Sequence, residues 1–177
     1  YTDYPSAELF VNGKSQGRIT KNKDSRLDRY RLRWENVTYE KGEIKVVVYD
    51  EQGNKAGEKT VKTAGKPAKL QLTADRSTIA ADGSDLAFIT VSLTDKNGTL
   101  CPDADHSLEF KVTGAATFNS VCNGDATSLE VFTEPTMKLF HGQLVVVVQA
   151  SEAPGKATLT VKDKNTGIRA SLPITVK

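Results

Sequence analysis

The sequence predicts an all-β chain built from two consecutive immunoglobulin-like β-sandwich domains, and three observations support this. Apolar residues alternate with polar ones at a period of two, as in half-buried strands. Clusters of Gly, Asn and Asp interrupt the alternation about every 8 to 12 residues, a spacing typical of sandwiches. No stretch shows the period of about 3.6 residues that marks an amphipathic helix. With 177 residues, the chain is long enough for two small domains.

The first domain is predicted to span residues 1–63 as a small β-sandwich. Its strands are expected at residues 7–11, 29–34, 44–49 and 59–62. The pair Asn12-Gly13 follows the first strand and supplies the two positive φ angles that a type I′ hairpin turn requires. We therefore expect the domain to begin with a hairpin.

Residues 29–34 alternate strictly between arginine and aromatic or aliphatic side chains. In a strand, this pattern places the arginines on one face and the apolar side chains on the other, with the apolar face pointing inward. The arginines are expected to be solvated and to pair across the sheet with acids such as Glu43 or Glu58. A docking face for another domain is the alternative.

The same segment contains the candidates for carbohydrate binding. Sugar-binding modules usually present an aromatic platform that stacks on a pyranose face, and here Trp34, with Tyr30 and Tyr39 nearby, could form one. The alternation that puts Trp34 in register with Leu32 favours the alternative, in which Trp34 is a core residue.

The second domain is predicted to span residues 64–177 as an immunoglobulin-like sandwich. The boundary lies at Ala64-Gly65-Lys66-Pro67, because proline cannot donate a hydrogen bond to a sheet and glycine adds flexibility. Its strands are expected at residues 68–74, 86–94, 108–112, 144–148, 157–161 and 172–176, with another ending at Val121. The continuous apolar run at residues 144–148 predicts a strand buried on both faces.

A polar loop at residues 123–128 precedes that run and is a candidate site. Asp125, Thr127 and Ser128 could hold a cation through their oxygen atoms, or the loop could face another domain. The favoured interpretation is structural: Asp and Thr side chains such as Asp125 and Thr127 commonly bond nearby backbone amides and fix a loop. Asn123 belongs to the same candidate loop.

Two cysteines, Cys101 and Cys122, allow one disulfide at most. A bridge would close a loop of 20 residues and add on the order of 3 kcal/mol, and free thiols are the alternative. Cys101 also lies near His106 in the sequence, but the ligand spacing matches neither a zinc nor a calcium pattern. We expect no metal and no cofactor.

Composition and motifs argue against catalysis and nucleic-acid binding. The net charge is +2, with 13 basic and 10 acidic residues up to Thr63 and 11 and 12 after it, so no basic stripe dominates. The acids lie in turns and on polar strand faces, whereas glycoside hydrolysis needs a carboxyl group that burial keeps protonated. No nucleophile motif is present, and no apolar run is long enough to cross a bilayer.

Two sets of motifs occur in order along the chain. The first is Glu8-Leu-Phe-Val-Asn-Gly-Lys-Ser, Arg31-Leu-Arg-Trp and Tyr39-Glu-Lys-Gly-Glu; the second is Thr63-Ala-Gly-Lys-Pro-Ala, Ala81-Asp-Gly-Ser-Asp-Leu-Ala-Phe-Ile-Thr-Val, Pro102-Asp-Ala-Asp, Asn123-Gly-Asp-Ala-Thr-Ser and Phe140-x-Gly. The second set resembles the C-terminal immunoglobulin-like domain of glycoside hydrolase family 2 enzymes, particularly Bacteroides-type β-galactosidases. The first resembles the small β domain that precedes it there. Residues 81–94 alone also resemble invasin-type adhesin repeats.

The resemblance implies that the catalytic acids lie on a (β/α)₈ barrel, which takes about 250 residues and is not encoded here. Because the chain begins at Tyr1 without an initiator Met or signal segment, we expect an excised part of a longer periplasmic or extracellular hydrolase. Its expected role is a non-catalytic scaffold, spacer or interface for the barrel, with the parent's other domains as partners. The alternatives are a polysaccharide-binding module and an adhesin-like cell-surface spacer.

Overall fold

The computed structural model describes the whole chain from Tyr1 to Lys177 and contains strands, turns and irregular segments without a helix. The all-β prediction is confirmed. The chain divides into two compact units, Tyr1–Thr63 and Ala64–Lys177. It has no helix of the length and apolarity needed to span a bilayer.

The first unit contains one antiparallel sheet of four strands in the order β2-β1-β3-β4. The strands are β1 (Ser6–Val11), β2 (Lys14–Thr20), β3 (Glu43–Tyr49) and β4 (Lys55–Lys62). The predicted opening hairpin is confirmed, since Asn12 has a φ of 49° and Gly13 a φ of 80°, as a type I′ turn requires.

The predicted strand at residues 29–34 is wrong. Residues 21–42 form turns and irregular backbone. Local hydrogen bonds explain the difference: Ser25 Oγ accepts hydrogen bonds from the backbone N–H groups of Leu27 and Asp28, at 3.3 and 3.0 Å. Such side-chain acceptors stabilise turns in competition with a sheet ladder.

The arginines of this segment also have different partners from those predicted. Asp28 accepts two hydrogen bonds from the Arg33 guanidinium, at 2.8 and 3.2 Å, and holds the charge within the segment. The hydrogen bonds from Arg33 lower the pKa of Asp28. Glu43 pairs with Lys62 and Glu58 pairs with Lys55, so the predicted arginine pairing to these two acids is wrong.

The second unit is a sandwich of two sheets. One has the strand order β5-β7-β11-β9 and the other the order β10-β8-β12-β13-β6, in which β6 and β13 form the parallel pair. The strands are β5 (Lys69–Ala74), β6 (Thr78–Ile79), β7 (Leu86–Thr94), β8 (Ser107–Gly114), β9 (Ala116–Cys122), β10 (Thr136–Lys138), β11 (Gln143–Ala150), β12 (Gly155–Asp163) and β13 (Arg169–Val176).

The core of the second unit lies between the inward faces of its two sheets. Alternate residues of β7 and β12, such as Ile89, Val91 and Leu159, are fully buried. At one edge, Phe110 of one sheet and Phe118 of the other stack with ring centroids 6.1 Å apart. The period-two pattern therefore predicted the buried faces correctly.

Strand β11 differs from the prediction made from its continuous apolar run. Leu144, Val146 and Val148 are buried, but Val145 and Val147 are only half-buried. The strand lies between β7 and β9, so its edges are covered, yet only one of its faces packs against the other sheet. The predicted strand is confirmed, and its predicted burial on both faces is wrong.

The turn that starts β11 requires glycine. Gly142 has a φ of 75°, and a Cβ atom there would lie 2.2 Å from the carbonyl oxygen of Cys101. Its N–H donates to the Ala104 carbonyl at 3.0 Å, and its carbonyl accepts from the Leu93 N–H at 2.9 Å. Gly142 thus connects the start of β11 to β7 and to the loop that follows β7.

We predict that Gly142→Ala lowers the free energy of unfolding by about 3 kcal/mol or more, because the methyl group overlaps backbone that is held by hydrogen bonds. Gly98→Ala is the matched control: Gly98 has a φ of 84°, but a Cβ there meets nothing within 4 Å, so only the cost of the left-handed conformation, about 1–2 kcal/mol, is expected. Urea unfolding measures both, and equal losses would contradict the steric argument.

Candidate functional site

A pocket of about 500 Å³ lies in the first unit, between the sheet and residues 21–42. It is lined by Tyr1, Thr2, Ala7, Leu32, Trp34, Val46, Val48, Gly57, Glu58 and Lys59. The strand register explains its floor, because Ala7, Val48 and Gly57 lie opposite one another on adjacent strands. The volume lies within the range of roughly 300–1,000 Å³ that is common for small-molecule sites.

Trp34 forms part of the pocket wall. Its indole Nε1–H donates to the backbone carbonyl of Gly17 at 2.9 Å, and its side chain is partly buried. This bond ties the irregular segment to β2. Trp34 thus packs over the sheet and at the same time faces an open pocket.

The other two aromatic candidates do not line the pocket with Trp34. Tyr30 is 64% exposed, with the Arg29 guanidinium 5.8 Å from its ring centroid. Tyr39 is 72% exposed, and its hydroxyl lies 3.2 Å from Thr63 Oγ1. Carbohydrate binding by Trp34, Tyr30 and Tyr39 stays a prediction, for which the structure offers a pocket rather than a three-ring platform.

In the loop at residues 123–128, the polar side chains bond within the loop or to its neighbours. Asp125 Oδ1 accepts hydrogen bonds from the Thr127 N–H at 2.9 Å and the Thr127 hydroxyl at 2.7 Å, and these bonds lower the pKa of Asp125. Asn123 donates to the Lys138 carbonyl, and Ser128 Oγ accepts from the Glu130 N–H. No group of three or more His, Cys, Asp or Glu side chains is arranged to hold a metal ion.

Directly after this loop lies a surface that the sequence reasoning missed. Leu129, Val131 and Phe132 are 97%, 57% and 51% exposed, and we call these three residues the loop surface. Their backbone is held in place, since the Val121 N–H donates to the Phe132 carbonyl at 2.8 Å. Contiguous exposed apolar surface often marks a contact with another protein surface, and these residues, close together in the chain, are candidates for such a contact. In the sequence, these residues stand out only as apolar residues in a segment that lacks the period-two alternation of a strand.

The two cysteines are free and differ in environment. Cys101 is buried, with its Sγ 3.7 Å from the Gly65 carbonyl oxygen, whereas Cys122 is exposed. Burial raises the pKa of the Cys101 thiol, and the negative charge of Asp95 raises it further. The bridge considered from the sequence is not formed in the structure.

His106 pairs with an acid far along the chain. Its Nδ1 lies 2.8 Å from Oδ2 of Asp163, which is fully buried and also accepts from the Thr166 hydroxyl and the Asn165 N–H. Burial raises the pKa of Asp163, but the hydrogen bonds from Thr166 and His106 outweigh it, and the net pKa is below the usual value. The pair joins the loop before β8 to the last residue of β12.

Comparison with known families identifies the fold. The model of the family described as "Glycoside hydrolase family 2 C-terminal domain 5" matches residues 70–169, more than half of the chain. The chain belongs to glycoside hydrolase family 2. The resemblance inferred from the motifs is confirmed. A second model, a domain of unknown function designated DUF4982, matches residues 1–57 of this family 2 chain.

The relatives of this family 2 chain are much longer. It is 44% identical over 172 residues to the β-galactosidase BoGH2A of Bacteroides ovatus, covering 97% of this chain and 19% of that protein. The structure of a family 2 member from Bacteroides cellulosilyticus has a TM-score of 0.93 at 35% identity, over 99% of this chain and 22% of that one. A β-glycosidase from Bacteroides vulgatus gives 0.87 at 30% identity, over 99% and 22%. The chain spans about a fifth of these relatives.

We predict that Asp163→Asn destabilises the chain at pH 7 by about 1–3 kcal/mol, because it removes a buried, hydrogen-bonded charge. The folded-state pKa of Asp163 is lowered, so its stabilising contribution is present above the unfolded pKa of about 3.9 and is lost as the pH falls through the folded pKa. The difference from wild type should therefore shrink below about pH 4.

Urea unfolding from pH 7 to pH 3 measures this difference. Asp103→Asn, at an exposed position in the loop before β8, is the control and should be nearly neutral throughout. A deficit of Asp163→Asn that stays constant down to pH 3 would contradict the assignment.

Proposed function

We propose that the chain is a non-catalytic C-terminal region of a β-galactosidase-like family 2 hydrolase and serves as a scaffold or interface for a catalytic (β/α)₈ barrel. One observation carries this proposal: 97% of the chain aligns with a β-galactosidase of which it covers only 19%. The remaining four fifths of that enzyme leave ample length for a barrel of about 250 residues.

The carboxyl groups of the chain support a non-catalytic role. A glycosidase general acid needs a raised pKa, so that it holds its proton near neutral pH. The displaced carboxyl pKa values here are all displaced downward, with hydrogen bonds to neighbouring donors as the lowering cause. These groups are Glu8, Asp28, Glu58, Asp82, Asp95, Asp125 and Asp163. These carboxyl groups therefore stay ionised near neutral pH.

The loop surface supports the interface role. Leu129 is almost fully exposed, and Val131 and Phe132 are each more than half exposed, on a backbone anchored to β9. Within one polypeptide, a linked domain is present at an effective concentration of about millimolar, so a small apolar contact suffices for docking. We propose that another domain of the parent hydrolase covers this surface.

The cellular location of the parent hydrolase belongs to the same proposal. The resemblance to Bacteroides hydrolases favours a periplasmic or extracellular parent, and fractionation of cells expressing the full protein tests this. An adhesin-like spacer is the alternative, and an upstream gene sequence that encodes further sandwiches without a barrel would favour it.

We predict that the purified 177-residue chain releases no nitrophenol from aryl β-galactosides above the buffer background. The reason is that catalysis needs a pair of opposed carboxyl groups, which we assign to the barrel. The B. ovatus enzyme serves as the positive control. Turnover that persists through repeated purification would refute the proposal.

We predict that the loop surface matters only in the context of the whole enzyme. The test replaces the matched region of the B. ovatus enzyme with this chain and compares that chimera with its Leu129→Asp/Phe132→Asp version. Placing two charges in a buried contact should lower the melting temperature of the chimera by several degrees or reduce its activity.

The same two substitutions in the isolated chain are the control, and they should change its stability less than that of the chimera, because both side chains are more than half exposed there. An unchanged chimera would contradict the assigned surface, while an equal loss in the isolated chain would show a folding defect instead.

A further inference from the structure

The sheet of the first unit is incompletely covered at its centre. Val46 and Val48 lie on a central strand, yet both are only half-buried, whereas Ala7 on the neighbouring strand is fully buried. Gly57 lies opposite Val48 and contributes no side chain to the gap. The floor of the pocket is therefore apolar and stays open to a ligand.

Trp34 contributes to the pocket wall an aromatic ring whose one polar atom is already hydrogen-bonded. The indole N–H is the only hydrogen-bonding group of the Trp34 side chain, and it already donates to the Gly17 carbonyl. What Trp34 presents to the pocket is thus apolar π surface. The C–H bonds of a pyranose point along its two ring faces, so a sugar ring offers a matching apolar face, while its hydroxyl groups point outward from the ring edge.

The pocket lining includes one lysine that forms no salt bridge. Lys59 lies opposite Val46 on the pocket face of β4 and forms no salt bridge. The neighbouring acid, Glu58, is already paired with Lys55 at 2.9 Å. An anionic group on the ligand would therefore find an ammonium partner at Lys59, and a carboxylate is well suited to such a charge-assisted hydrogen bond.

We propose that this pocket binds a pyranose that bears a carboxylate, a uronic acid unit, with its ring face on Trp34 and its carboxylate at Lys59. This site is separate from the loop surface and does not depend on the scaffold role. It would give the chain a binding activity of its own toward acidic glycans.

The test uses the intrinsic fluorescence of the 177-residue chain. Trp34 is its only tryptophan, so the signal reports on the pocket wall directly. The two probes are methyl β-glucuronide and methyl β-glucoside, which differ only at C6, where the first has a carboxylate and the second a hydroxymethyl group. We expect saturable binding of the glucuronide in the range of about 1 mM and about threefold weaker binding of the glucoside, as an exposed ion pair allows.

Three variants locate the binding. Gly57→Val fills the pocket: its Cβ would meet Val48 Cγ2 at an ordinary 3.5 Å, and Gly57 has no positive φ, so the strand should tolerate the change. This variant should fold and lose binding of both sugars. Thr60→Val, on the opposite face of β4, should retain binding. Lys59→Gln should reduce glucuronide binding to the level of the glucoside.

Three results would overturn the proposal: no saturable change with either sugar, equal affinity for the two sugars in the wild type, or unaltered binding in Gly57→Val. Circular dichroism and thermal melting of each variant confirm that it is folded. If Gly57→Val does not fold, Lys59→Gln alone tests the proposal. The proposal then requires that this variant binds the glucuronide and the glucoside with equal affinity.

Discussion

The close approach of Gly142 to the carbonyl of Cys101 sets the position of strand β11, and the sandwich depends on it. Two backbone hydrogen bonds fix this glycine to Leu93 and Ala104. Strand β11 then pairs with β7 on one side and β9 on the other. Because a shift of one residue would turn Leu144, Val146 and Val148 away from the core, the position of this turn determines the register of the sheet.

The same turn places the loop surface. In the register of β11 with β9, Val145 lies opposite Cys122, so the loop that follows Cys122 emerges beside the start of β11. Asn123 bonds the Lys138 carbonyl, and Glu130 accepts from the Lys138 N–H. The backbone next to the loop surface is therefore held in place by hydrogen bonds. An apolar surface on such a backbone loses little conformational entropy on docking, which suits it to an interface within one polypeptide.

Period-two alternation predicted the longer strands of the second unit well, and it missed the short strands β6 and β10. It succeeded for β7 and β12 and failed at residues 29–34, where Ser25 and Asp28 bond nearby backbone and arginine groups. The loop at residues 123–128 was correctly interpreted as self-bonded, because Asx-type bonds depend only on neighbours in the sequence. The His106–Asp163 pair joins residues 57 apart, and no local pattern encodes such a contact.

The two units bury their apolar faces in different ways, and this difference explains where a ligand could bind. In the second unit, the opposing sheets interdigitate, and central residues such as Val91 and Val146 are completely buried. In the first unit, an irregular segment replaces the second sheet and covers the face only through a few side chains, Trp34 among them. Irregular backbone cannot present side chains at every strand position, so it leaves gaps over half-buried valines. A gap of this kind costs stability, and a ligand that fills it recovers part of that cost as binding free energy.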